Sequence, residues 1–148
     1  MSAPILAAFN PATGDRGPVT FAVAACRATG APLIVVAVRQ GGSMLDRLHG
    51  GEPSEAAPDD ATAALVAELQ ADGVAAQVRV VDHTTPARGL AGAVAALSPE
   101  LLVVGSDREA RHGHVRPGST AERLISGSSC PVAVVPHRHA PEATLGAI

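Results

Sequence analysis

The sequence predicts a single α/β domain built on a parallel sheet, an open Rossmann-like arrangement with helices on both faces. Three observations carry that expectation. Short apolar runs alternate with segments of helical period, in the order β-α-β-α-β-α-β-α-β. Most of the apolar runs are nearly continuous, as strands covered on both faces should be. The chain has 148 residues and is 47% hydrophobic, the size and composition of one ordinary packed domain.

The first strand is read in "PILAAF", Pro4–Phe9, which stops at Asn10-Pro11. Pro18 suits the first turn of a helix, where its missing N–H is not needed. Val19, Ala22, Val23 and Cys26 then share one helical face, and Gly30 ends the helix. "APLIVVAVR", Ala31–Arg39, is the second strand. Residues Gln40–Pro58 read as a long loop of Gly, Pro and polar residues. Asp59 or Asp60 can cap the next helix, which carries Ala64, Leu65, Ala67 and Leu69 and ends at Asp72-Gly73. "VAAQVRVVD", Val74–Asp82, alternates as a third strand. Thr85-Pro86 opens a helix reaching about Leu97, and "PELLVVGS" is the fourth strand. A last helix begins near Ser119, because Ser119-Thr120-Ala121-Glu122 matches a capping box. "CPVAVVP" is the fifth strand. The domain core thus spans about residues 4–136, and 137–148 read as a loose tail.

Composition narrows the function. Phe9 and Phe21 are the only aromatic residues, so there are almost no rings on which single-stranded bases could stack. The net charge is −3, which gives no bulk basic face for duplex nucleic acid. All 11 basic residues are arginine, so lysine chemistry is absent. Two cysteines are too few for a disulfide framework, and the opening "MSAPILAAFN" lacks a charged n-region followed by a long apolar run. No apolar stretch approaches a membrane span. A soluble protein of the cytoplasm is the expectation.

In an open parallel sheet, ligands bind outside the carboxyl ends of the strands, where the strand order reverses. The residues following the strands are therefore the candidates: Asn10 and Pro11, then Val38, Arg39 and Gln40, then the segment from Gly105. That last segment, "GSDREARHGHVRPGST", has the chemistry of an anion site. Gly105, Gly113 and Gly118 let backbone amides approach a ligand. The helix that follows opens with amides that lack intrahelical partners. Ser119 and Thr120 add hydroxyls, and Arg108, Arg111 and Arg116 add charge with a geometry suited to phosphate. The same residues also fit a plain helix cap and turn, with Ser119 capping and Gly118 turning the chain.

Several other patterns lead nowhere. Gly113 to Thr120 imitates a Walker A loop, but the lysine after the second glycine is missing, and no GxGxxG follows the first strand. A phospho-receiver domain needs an acidic cluster after the first strand and a late lysine; Asp15 lies several residues beyond that strand, and lysine is absent. His112-x-His114 and His137-x-His139 offer too few converging donors for zinc, the first pair among arginines, so no metal site is expected. Cys26 reads as a small core residue and Cys130 as a buried one. No Ser-His-Asp arrangement can be argued from His83 and Ser119, so no catalytic residue is assigned.

Taken with these motifs, the chain resembles the universal stress protein family. The family signature Gly-x2-Gly-x9-Gly-Ser/Thr is matched in spacing by Gly105, position 108 and Gly118-Ser119. "LLVVGS", "GSTAERLI", "CPVAVVP", "PILAAFNPA" and "TPARGLAGAVAAL" are similar to their family counterparts, so the likeness covers roughly Pro4 to Pro136. The resemblance implies a five-stranded parallel sheet in the order 3-2-1-4-5. It also implies an ATP site in which Asn10 and Val38 would face the adenosine. Gly105, Ser106, Arg108, Gly118, Ser119 and Thr120 would line the phosphate path, and Mg2+ would enter only with ATP. Two departures stand out. Arg108 replaces the second motif glycine, and could either clamp a phosphate or fill the space a glycine leaves. Asn10 replaces an aspartate usual in nucleotide-binding members and gives up its charge.

The fifth strand should lie at the sheet edge, an apolar edge open to pairing with another chain. The resemblance implies a homodimer through it, and Pro131 and Pro136 would limit the pairing. The expected function is a homodimeric, nucleotide-binding stress-response regulator that binds rather than turns over its ligand, with weak ATP hydrolysis at most. One alternative is an interaction module of the same family that has lost nucleotide binding, with Arg108 closing the site. Another is a small hydrolase or transferase using the same pocket.

Overall fold

The structure, a computed structural model, describes residues 3–40, 60–83, 85–106 and 118–136. Of the expected loop Gln40–Pro58, Gln40 instead ends the second strand and the rest lies outside these residues, as do Arg108 and the expected tail. The described strands are β1 (Ile5–Phe9), β2 (Leu33–Gln40), β3 (Ala76–His83), β4 (Leu101–Gly105) and β5 (Val132–Val135). The helices between them are α1 (Gly17–Thr29), α2 (Asp60–Ala71), α3 (Pro86–Leu97) and α4 (Ser119–Gly127).

All strands are parallel, in the order β3-β2-β1-β4-β5. The first strand is therefore central. It pairs with β2 on one side, Ile5 opposite Leu33, and with β4 on the other, Ile5 opposite Leu101. The order reverses at β1, between β2 and β4.

Side chains alternate between the two faces of the sheet, and each face has its own core. On one, Ile5, Ala7, Phe9, Val35 and Val103 pack with Val19 and Ala22 of α1 and Leu65 and Leu69 of α2. On the other, Leu6, Val36, Leu102 and Val104 pack with Leu90 and Val94 of α3 and Ala121 and Leu124 of α4. Leu6, Val35, Leu102 and Val103 are fully buried, and burial of each such side chain is worth about 1.5–3 kcal/mol.

Local signals explain the helix ends. Pro18 lies in the first turn of α1, and Gly30 adopts φ 77° and returns its N–H to the Cys26 carbonyl. Val19 and Ala22 are buried, whereas Val23 and Cys26 are partly buried against the same cluster. Thr85 caps α3: its side chain accepts from the Arg88 N–H at 3.2 Å, and Pro86 follows. In α2, Asp60 is already the first helical residue. Cys130 is only partly buried, packed beside the second core.

The capping box expected at Ser119 does not form. Gly118 occupies the N-cap in an extended conformation, and no side chain caps the helix. Ser119 is the first helical residue, and the Glu122 N–H donates to the Gly118 carbonyl at 2.9 Å. Once Ser119 has helical dihedrals, its hydroxyl is one position too late to serve as the box's acceptor.

Candidate functional site

A cleft of about 810 Å³ opens where the strand order reverses, at the carboxyl ends of β1, β2 and β4. Its walls are the β1–α1 loop, the ends of β2 and β4, and the first turns of α3 and α4. Concave sites at such switch points are the usual ligand positions of open α/β sheets.

Of the residues singled out from the sequence, Asn10, Val38, Gly105, Ser106, Gly118, Ser119 and Thr120 all line this cleft. Arg108 lies outside the described residues. Asn10 is exposed and shapes the loop: its Oδ1 accepts the Ala12 N–H at 2.9 Å. Its carbonyl accepts the Thr13 and Gly14 amides at 3.2 and 2.9 Å. This turn folds the chain back over the end of β1. Val38 is almost wholly buried and contributes an apolar floor.

Gly105 ends β4. Its φ is not in the left-handed region, and a Cβ there would meet Asp15 Oδ2 and Pro18 Cγ at an ordinary 3.6 Å. A methyl group therefore fits, while a branched side chain would press on the α1 entry. Ser106 follows, its N–H held by the Val135 carbonyl at 2.9 Å. Across the cleft, the first turn of α4 presents amides that have neither an intrahelical acceptor nor a side-chain cap. Ser119 is exposed and Thr120 half-buried beside them. The partial positive charge of the helix terminus suits an anionic group.

Sequence reasoning set Asp15 aside for its distance from the first strand. It nevertheless lines the cleft, as do Thr13 and Pro18. The turn at Asn10 brings these residues back, and Asp15 Oδ1 then accepts the Gly17 N–H at 2.9 Å as α1 begins. The signal was present in "NPATGDRGP", where Asn, Gly and Pro crowd a short span. Arg39 also lines the cleft and makes a two-pronged pair with Asp82 of β3, at 2.9 and 3.1 Å. Among the described residues, no group of three or more His, Cys, Asp and Glu could hold a metal ion. Nor is any described helix long and apolar enough to cross a membrane.

A parallel sheet in this order, with a cleft at its reversal and a helix terminus without a side-chain cap beside it, defines an open α/β domain with a candidate ligand cleft. The chain belongs to the universal stress protein family, whose model matches residues 1–136. A universal stress protein of Mycobacterium tuberculosis and one of Mycobacterium bovis are each 39% identical over 69 residues. That match covers 47% of this chain and 24% of the relatives' length, so it spans about a quarter of those proteins.

Solved structures share the fold. A universal stress protein from Archaeoglobus fulgidus in complex with dAMP has a TM-score of 0.60 and 18% identity, covering 90% of this chain and 97% of that one. A universal stress protein in complex with cAMP has a TM-score of 0.63 and 16% identity, covering 93% and 99%. An Arabidopsis thaliana family member with AMP bound has a TM-score of 0.58 and 15% identity, covering 95% and 94%.

Proposed function

We propose that this chain binds an adenine nucleotide, ATP in the first instance, in the cleft between β1 and β4, and acts as a homodimeric stress-response regulator in the cytoplasm. The observation that carries this reading is the convergence of seven residues, far apart in sequence, on one cleft beside the helix terminus of α4. The cleft volume is within the range of small-molecule sites. The solved relatives with dAMP, cAMP and AMP support the adenine nucleotide class.

In this reading Asn10 and Val38 hold the adenosine end. Gly105, Ser106, Gly118, Ser119 and Thr120 follow the phosphates, with Arg108 clamping them. Mg2+ enters only with ATP. ATP supplies a charged tail that the α4 amides and the hydroxyls of Ser119 and Thr120 orient. Binding rather than turnover is the activity, with weak hydrolysis at most.

Homodimerisation through β5 is part of the proposal. Its support is the position of β5 at the sheet edge, with Val132, Ala133 and Val134 only half-buried.

A second reading draws on Asn10, which carries no charge and whose Oδ1 is already engaged by its own loop. The chain would then be an interaction module without nucleotide, with Arg108 filling the site.

Mass spectrometry of protein purified without added nucleotide, followed by calorimetric titration with ATP and AMP, separates the two. Co-purified or titratable nucleotide, lost in Gly105→Val while the fold persists, supports the first. Absence of any binding at millimolar ligand supports the second. Light scattering at micromolar protein tests the dimer, and a purely monomeric mass would refute it.

A further inference from the structure

Arg16 closes the β1–α1 loop and is not among the cleft-lining residues, yet it ties that loop down in three directions. Its Nε donates to Glu68 Oε2 on α2 at 2.7 Å. Its Nη1 donates to the Gly14 carbonyl at 2.7 Å. Its guanidinium carbon lies 5.7 Å from the centre of the Phe9 ring, at the end of β1. One side chain thus joins a core strand, the middle of the loop and a separate helix.

Gly14 permits this. It adopts φ 67°, a left-handed conformation that strains a residue with a Cβ, and its open side lies against Arg16 Nη1. Local bonds also shape the loop. Asn10 accepts from Ala12, Thr13 and Gly14, and the Asp15 N–H donates to Thr13 Oγ1 at 3.3 Å. These bonds join the loop's residues to one another. The contacts of Arg16 to Phe9 and Glu68 tie it to β1 and α2.

We infer that Arg16 is a positioning residue for the cleft: it holds the β1–α1 loop as a ready-made wall, with Glu68 as the anchor on α2. This rests on the nucleotide reading above. Apparent affinity falls by the fraction of time a binding wall is out of place, so an ordered wall binds more tightly without touching the ligand. The Glu68 contact is exposed and the Gly14 contact part-buried, and each contact is weak alone; their joint loss is expected to weaken binding about tenfold. The Glu68 arm is an exposed ion pair, so salt loosens it. Binding of an uncharged ligand such as adenosine then weakens as ionic strength rises.

The test combines amide hydrogen exchange with calorimetric titration of AMP and adenosine, on the wild-type chain, Arg16→Ala, Arg16→Lys and Glu68→Gln. Arg16→Ala is expected to speed exchange at residues 12–15 while β1 and β4 keep their protection, and to weaken AMP about tenfold. Arg16→Lys keeps the charge without the planar fork and recovers part of that loss. Glu68→Gln weakens AMP about two- to threefold and abolishes the salt dependence of adenosine binding. Unchanged exchange at residues 12–15 in Arg16→Ala, or equal AMP affinity in Arg16→Ala and wild type, overturns the inference. If the wild-type chain binds neither AMP nor adenosine, the nucleotide reading fails, and the exchange data still decide whether Arg16 fixes the loop. Should Arg16→Ala not fold, the surface variant Glu68→Gln carries the same comparison.

Discussion

Arg39 Nε and Nη2 reach the two carboxylate oxygens of Asp82 at 2.9 and 3.1 Å, and the two residues are register partners at the carboxyl ends of β2 and β3. The pair fastens a cleft-lining side chain to the neighbouring strand. Each side chain keeps about a third of its surface exposed, 36% and 35%, so the contribution is modest despite the good geometry. A double-mutant cycle with Arg39→Ala and Asp82→Ala is expected to give a coupling of about 0.5–1 kcal/mol by chemical denaturation. Arg39→Lys should recover little of it, because an ammonium cannot make both bonds in that plane. A coupling near zero would show that the two-pronged geometry adds nothing to stability.

The cap at Thr85 gives a second expectation. Thr85→Ala removes the acceptor of the Arg88 N–H and should cost about 1 kcal/mol, while Thr85→Ser retains most of the stability. Thermal unfolding of the three proteins measures this directly. Equal loss in the serine variant would point to the methyl group rather than the hydroxyl.

Ser98 makes a prediction of opposite sign. It ends α3 in the left-handed conformation, φ 46° and ψ 57°, with its N–H donating to the Val94 carbonyl. A residue with a Cβ is strained there, whereas glycine is not. Ser98→Gly is therefore expected to stabilise the domain by about 0.5–1 kcal/mol, net of the greater freedom glycine gives the unfolded chain. A lower unfolding midpoint in Ser98→Gly would contradict this.

Cys26 provides a pH-dependent expectation. Partial burial against the first core, with a smaller push from the negative charge of Glu100, raises its thiol above the ordinary 9.0. The folded state therefore holds the proton longer than the unfolded state does. Stability from this group is intact below pH 9.0 and declines as pH rises toward and through the folded value. Denaturation midpoints of wild type and Cys26→Ala, followed from pH 8 to about 10.5, should converge as the wild type loses its advantage. A difference that stays constant across that span would remove the linkage.

Much of the fold was legible because its punctuation is chemical. Gly30 and Thr85-Pro86 each mark a boundary through a backbone requirement that few other residues meet, and the structure uses them as expected. Aliphatic runs gave the strands within a residue or two, since buried parallel strands leave little room for polar residues. The strand order is a different matter: spacing alone does not say that β1 lies between β2 and β4, and it was family likeness that supplied it. The Ser119 cap failed because Ser-x-x-Glu states only that a box is possible, and the extended Gly118 took the position instead. Asp15 was passed over because distance along the chain was read as distance in space. The backbone bonds to the Asn10 carbonyl make that inference fail.

The central place of β1 has a consequence for how the chain is made. Ile5–Phe9 leaves the ribosome before the other four strands, but its second neighbour, β4, begins only at Leu101. Until Leu101 and the residues after it have been synthesised, one flank of this central strand has no native mate. A nascent chain stalled before Leu101 would therefore carry an open sheet edge at its heart, and that interval is when a chaperone would be most needed.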